Sequence, residues 1–179
     1  MTELLKKTND ADIVDDERQQ YLTFLLGGEV FAIAILNIRE IIEYRNITNV
    51  PMMPDFVRGV INLRGSVVPV IDLAMRFGRE AAPVSRRTCI VLVEMNVEGE
   101  TYNIGVTVDA VNAVLDIPNS DIEPAPAFGA RIRSDFIGGM GKIDGKFVII
   151  LDSNKVLSVD EMTSLVKNED NIKTESDND

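Results

Sequence analysis

Residues 56–73, FVRGVINLRGSVVPVIDL, return eighty positions later as residues 136–153, FIGGMGKIDGKFVIILDS. Overlaid, Phe56 meets Phe136, Gly59 meets Gly139, Leu63 meets Ile143, Gly65 meets Gly145 and Asp72 meets Asp152. Each copy is a pair of β-branched, apolar runs divided by a two-residue turn, Arg64-Gly65 in the first and Asp144-Gly145 in the second. Such a turn needs positive φ, which glycine supplies without steric cost. A proline pair precedes each copy, in VPMMP (50–54) and EPAP (123–126).

Working outward, two more hairpins share this grammar. YLTFLL, GG and EVFAIAI run over 21–35, and CIVLVEMNV, EG and ETYNIGVTV run over 89–108. At a shift of 71 residues Gly28 meets Gly99, Glu29 meets Glu100, Phe31 meets Tyr102 and Ile33 meets Ile104. The nine-residue difference between the two shifts assigns the second copy a longer middle, around NSDIEPAPAFGARIRSD (119–135). Two copies of roughly 65–70 residues, each on the scale of five strands, fit a pair of small barrels better than one open sheet, because closure removes exposed edges. The lobes centre on 22–80 and 88–153. Helix is expected in three short places. AILNIREIIEY (34–44) spaces Ile35, Ile38, Ile41 and Ile42 as an amphipathic helix running into a strand. DLAMRFG (72–78) reads as a helical turn stopped by Gly78. SVDEMTSLV (158–166) offers Ser158 and Glu161 as a capping box.

Composition narrows the chemistry. The chain of 179 residues has no histidine and one cysteine, Cys89. Histidine-dependent triads, histidine-ligated metals, thiolate zinc sites and internal disulfides are thereby excluded. The net charge is −11, with six acids against three bases in residues 1–18 and five against two in residues 167–179. Residues 19–166 keep −5, which argues against a nucleic-acid partner. The two termini are expected to be disordered acidic tails. The opening MTELLKKTND lacks the apolar stretch of an export signal, and no apolar run is long enough to span a bilayer, so the expectation is a cytoplasmic protein without membrane insertion. GGMGK (138–142) resembles a phosphate loop only superficially, since Phe136 and Ile143 stand where glycine and Ser or Thr are required.

Arg64 is the residue the turn does not account for. The second copy has Asp144 in that slot, an ordinary turn residue, whereas arginine is less usual there. It is either a solvated side chain, a bridge to a nearby carboxylate, or a donor fork for another protein. Asp72 and Asp152 could suggest a paired-carboxylate hydrolase, but their equivalent places at strand ends argue for matching caps on the helical turns that follow.

With these residues in place, FVRGVINLRGSVVPVIDL, YLTFLLGGEVFAIAILNIREII before it and the VDAVNAVLDI, IEPAP and FIGGMGKIDGKFVIILD segments after it closely resemble the CheW family of bacterial chemotaxis coupling proteins. The resemblance covers roughly residues 19–166. It implies a mainly β fold of two intertwined SH3-like five-stranded barrels with a few short helices. It implies a non-catalytic adaptor, without cofactor, joining chemoreceptors to the histidine kinase CheA. The receptor's cytoplasmic hairpin tip would dock between the barrels, the kinase regulatory domain would pack on barrel one, and other CheW copies would help to close array rings. On the receptor side it implies Arg64, Glu40, Ile35, Ile38 and Ile42, with Gly105, Val108, Val111 and Val114 from the second barrel. Gly59, Asn62, Leu63 and Gly65 would contact the kinase or support the hairpin. Each has a plainer reading: the isoleucines and valines as core, Gly59 and Gly105 as bulge or close-approach glycines. A stand-alone sensor with a small ligand in the inter-barrel groove is the alternative function.

Overall fold

A computed structural model describes residues 17–125 and 133–158. The tails expected over 1–18 and 167–179 lie outside these residues apart from Glu17 and Arg18, and so does the capping box beyond Ser158. The strands are β1 (Arg18–Leu26), β2 (Glu29–Ala34), β3 (Ile38–Glu43), β4 (Val57–Leu63), β5 (Ser66–Asp72), β6 (Cys89–Val97), β7 (Glu100–Val108), β8 (Ala110–Pro118), β9 (Ile122–Glu123), β10 (Ile137–Ile143) and β11 (Lys146–Leu151). Two single-turn helices, α1 (Leu73–Arg76) and α2 (Ser153–Val156), follow β5 and β11.

The strands form two sheets, β8-β1-β2-β11-β10-β9 and β3-β6-β7-β5-β4. The repeat is real, and its copies are exchanged. Hairpin β1–β2 of the first copy lies between β8 and β11 of the second, and hairpin β6–β7 of the second lies between β3 and β5 of the first. Both insertions use one antiparallel and one parallel ladder. The result is the expected pair of intertwined SH3-like barrels.

Exchange makes the central strands buried on both faces, which explains why they read as unbroken apolar runs. Along β6, Ile90 and Leu92 point into barrel one, with Ile42, Ile61, Val68 and Val70. Val91, Val93 and Met95 point the other way, into a core shared by both barrels. Barrel two is filled by Tyr21, Ala32, Ile117, Val148 and Ile150. Through the shared core runs a file of rings, Phe24, Phe31, Phe77 and Phe136, with centroids 6.3, 5.5 and 6.0 Å apart in turn. The Arg76 guanidinium lies 4.9 Å from the Phe56 ring centre and 4.8 Å from that of Phe136, two residues that correspond in the repeat.

All four hairpin turns have positive φ at both central residues, including Arg64 at 51° and Asp144 at 51°. Asp72 and Asp152 are the matching caps: Oδ1 of Asp72 accepts from Met75 N at 3.1 Å, and Oδ1 of Asp152 from Asn154 N at 3.1 Å and Lys155 N at 3.3 Å. Gly78 ends the turn after α1 with φ 82°.

Two expectations need correction. In 34–44, expected to be a short helix running into a strand, the helix is a single 3-10 turn, Ile35–Asn37, and the strand, β3, begins already at Ile38. Its isoleucines are β-branched, and the waiting edge of β6 supplies hydrogen bonds that a lone short helix would lack. The 71-residue shift aligns the hairpin turns but not their bodies. Phe24 pairs with Phe31, and Val93 pairs with Ile104 at the equivalent place, with two further residue pairs before the first turn and four before the second. Hairpin β6–β7 is therefore two rungs longer.

Candidate partner-binding site

Strand β3 is an edge strand whose ladder with β6 slips at a β-bulge between Ile38 and Glu40. The bulge adds one residue and so changes which side chains share a face. Ile38 lies opposite Val93 and Ile41 opposite Val91, both in the shared core, while Ile42 lies opposite Ile90 inside barrel one. Edge strand β8 repeats this arrangement. Its bulge falls at the partner pair Thr23/Phe24, so Val111 lies opposite Phe24 and Val114 opposite Leu22. Ile38 and Ile41 thus correspond to Val111 and Val114, on the seam side of their sheets. Thr23 mends the second bulge, donating to Ala113 O at 3.0 Å and accepting from Ala113 N at 3.1 Å.

The candidate residues separate by burial. Ile35, Ile38 and Val111 are half-buried and pack against the shared core, and Val114 is 51% exposed. Ile42 at 9% and Val108 at 1% are core, and Gly105 is buried. None of these three lies at the surface. The bulge turns Ile42 inward, and a side chain at Gly105 would start 2.9 Å from Ile90 Cγ2 and 3.3 Å from Val70 Cγ2. Sequence periodicity did not single out Leu36, 79% exposed, or Ile41, 41% exposed, as surface positions. A bulge leaves no mark in one sequence from which the change of face could be read.

At the hairpin tip, Arg64 forks onto Glu40 of β3, Nη1 donating to Oε2 at 3.0 Å and Nη2 to Oε1 at 2.8 Å. The arginine side chain is 67% exposed and the glutamate 30%. Hydrogen bonding from Arg64 holds the Glu40 carboxyl below its ordinary range, and the same bonds push Arg64 up. Asn62 accepts from Gly65 N at 2.9 Å, closing the turn that places Arg64 in its left-handed conformation. Gly65 is exposed with φ 88°, and Leu63 packs against the barrel-one core. Gly59 is a close-approach glycine: with φ 145°, a Cβ there would lie 2.0 Å from the Thr48 carbonyl oxygen. Barrel two has Ala113 in place of Glu40 and Asp144 in place of Arg64, so this ion pair belongs to barrel one alone in the repeat.

Below the tip, Arg58 donates from Nε to Asp72 Oδ2 at 2.9 Å, with Nη2 at 2.7 Å from the same oxygen, and from Nη1 to the Tyr44 hydroxyl at 3.3 Å. Burial draws this guanidinium down, and its hydrogen bond to Asp72 and that residue's charge raise it overall. Among the described residues no three His, Cys, Asp or Glu side chains gather to hold a metal ion, and no helix is long and apolar enough to cross a membrane.

The family model for the CheW-like domain matches residues 20–161. The chain is 35% identical over 150 residues to the chemotaxis protein CheW of Klebsiella aerogenes, covering 84% of this chain and 87% of that one. It is 34% identical over 146 residues to the chemotaxis protein CheW of Helicobacter pylori, covering 82% and 86%. Protein FrzA of Myxococcus xanthus is 30% identical over 120 residues, covering 67% and 72%. Among solved structures, the scaffolding protein TtCheW from Thermoanaerobacter tengcongensis superposes with a TM-score of 0.68 at 35% identity, over 75% of this chain and 84% of that one.

Proposed function

The chain belongs to the CheW-like family of chemotaxis scaffolds, an adaptor and not an enzyme, and from that premise we propose that it couples membrane chemoreceptors to the histidine kinase CheA. One observation carries the receptor half of this reading. The repeat sets equivalent apolar pairs, Ile38 with Ile41 and Val111 with Val114, on the seam side of the two edge strands. Beside one of them stands an exposed arginine fork that the other barrel lacks. Apolar anchors in a groove with a few polar groups setting register is how helical hairpins are captured. Ile35 and Leu36 extend the apolar surface. Ile42, Val108 and Gly105 act by shaping the barrels behind it.

The kinase regulatory domain would use a different surface, on barrel one beside the β4–β5 turn. Val67 is exposed there, and its repeat counterpart Phe147 offers barrel two the same kind of contact for a neighbour closing a ring. Gly59, Asn62, Leu63 and Gly65 support that hairpin. Residues 19–166 would act as one adaptor domain in the cytoplasm, recruited to receptor arrays, where many weak contacts sum to a stable assembly.

Arg64→Ala tests the reading. Capture by a receptor cytoplasmic-tip fragment should fall by about tenfold, the loss of a contact worth somewhat more than 1 kcal/mol. Binding to the isolated kinase regulatory domain should stay unchanged. Normal receptor capture together with normal kinase activation would overturn the assignment of Arg64.

A further inference from the structure

Barrel one ends on two edge strands, β3 and β4, with no ladder between them. One isolated bridge closes the gap, Thr48 N donating to Val60 O and Val60 N to Thr48 O, both at 2.9 Å. Two arginine links span the same gap: Arg64 to Glu40 at the tip, and Arg58 to Tyr44 at the base. They differ in permanence. The Arg64 and Glu40 side chains are 67% and 30% exposed, open to water and salt. The Arg58 and Asp72 side chains are 22% and 4% exposed, so parting them strands a carboxylate away from water. That pair lies within the β4–β5 hairpin and holds the guanidinium in place, while only its 3.3 Å bond to the half-buried Tyr44 crosses the gap.

Barrel two serves as the internal control. The repeat places Gly138 opposite Arg58, Ile117 opposite Tyr44, Ala113 opposite Glu40 and Asp144 opposite Arg64. That barrel closes with the short strand β9 on β10 and with apolar packing by Ile117 and Ile122. A barrel of this kind therefore closes without either arginine, and both occur in the barrel whose tip presents Arg64.

We propose that the edge of barrel one is fastened by two arginines of unequal permanence, and that Arg58 is the positioning residue which keeps β4 seated against the end of β3 while Arg64 leaves Glu40 for acceptor oxygens of a partner. This rests on the reading of Arg64 as a partner contact and adds a residue that reading does not include. Arg58 anchors the base through the cap of α1, since Asp72 bonds it through Oδ2 and Met75 N through Oδ1. The hairpin carrying Asn62, Arg64 and Gly65 thereby stays in register when the tip is freed.

Amide hydrogen exchange on the full chain tests the fastening without any partner. Arg64→Ala, or about 0.5 M sodium chloride, should speed exchange beside the tip, at Leu63 and Ser66, and leave Thr48 and Val60 unchanged. Arg58→Met should speed Thr48 and Val60 about tenfold, with Met140 and Gly141 of barrel two as unchanged references. Arg58→Met should also weaken capture of a receptor-tip fragment while sparing the kinase regulatory domain, with partial rescue in Arg58→Lys. If Arg58→Met does not fold, the Arg58→Met, Asp72→Asn double variant removes both charges and keeps an oxygen for Met75 N, and Tyr44→Phe cuts only the link across the gap. Unchanged exchange at Thr48 and Val60 in the Arg58 variants overturns the proposal, as does equal acceleration there by Arg64→Ala. Should exchange behave as expected while Arg64→Ala still captures the receptor fragment, the positioning role falls with the reading of Arg64, and only the fastening stands.

Discussion

Gly59 and Gly65 lie six residues apart on one hairpin, both have positive φ, and they should respond very differently to the same methyl group. At Gly59 the methyl would start 2.0 Å from a backbone carbonyl that cannot retreat without breaking the Thr48–Val60 bridge. At Gly65 nothing lies within 4 Å. Gly59→Ala should cost about 3 kcal/mol or more, and Gly65→Ala about 1 kcal/mol, the penalty of the backbone conformation alone. Chemical denaturation of the two variants checks this, and equal midpoints would refute the steric account. Glu40 permits a second prediction. Its folded carboxyl is depressed by Arg64, so the ionised form is favoured. The pair's contribution is complete above the ordinary glutamate range and is lost as pH falls through the depressed value. In a carbon-detected NMR titration, Glu40 should titrate below its usual range and return to it in Arg64→Ala or at high salt. A titration indifferent to both changes would show that the pair does not persist in solution. At this scale the sequence was informative wherever chemistry is local. The caps at Asp72 and Asp152 and the positive-φ turns follow from residue type, whereas the Arg64–Glu40 pair joins residues 24 apart and stayed one of three open readings.

The hairpins show where legibility stops for elements. The strands announce themselves through alternating or continuous apolar runs, and their turns through glycine, so all four hairpins are readable from the chain. The unbroken apolar runs of β1–β2 and β6–β7 say that both faces are buried, but not which copy supplies the neighbouring strands, so the exchange itself has no local signature. The bulge in β3 is equally silent. It turns a helix-like spacing of isoleucines into a strand with Ile38 and Ile41 on one face and Ile42 on the other, so Ile42, which the family resemblance assigns to the groove, faces the barrel-one core instead. The longer β6–β7 hairpin yields a prediction at this scale. The pairs Asn96–Thr101 and Val97–Glu100 have no counterpart in β1–β2. Asn96, Glu100 and Thr101 are exposed and Val97 is half-buried. Removing these four residues while keeping the Glu98-Gly99 turn preserves the alternation of faces. The melting temperature should fall by no more than a few degrees, as for other surface changes. A collapse of the fold would mean that the extra rungs hold something the shorter hairpin does not need.

For the whole molecule the decisive fact is the exchange, since each barrel is completed by strands from the other copy. A chain cut between Pro83 and Val84, in the irregular segment before β6, should give two fragments that are each unfolded alone and form native-like β structure when mixed. Circular dichroism of the separate and combined fragments tests this, and independent folding of either would contradict the strand orders described above. The two barrels also share a core in which Phe24, Phe31, Phe77 and Phe136 succeed one another and Arg76 touches both copies. In a body woven in this way neither barrel can part from the other without opening the shared core. Under the proposed coupling, a receptor gripped at the seam and a kinase held on barrel one are fixed like two gears on one shaft. When either turns, the shared core between them is what resists their turning apart.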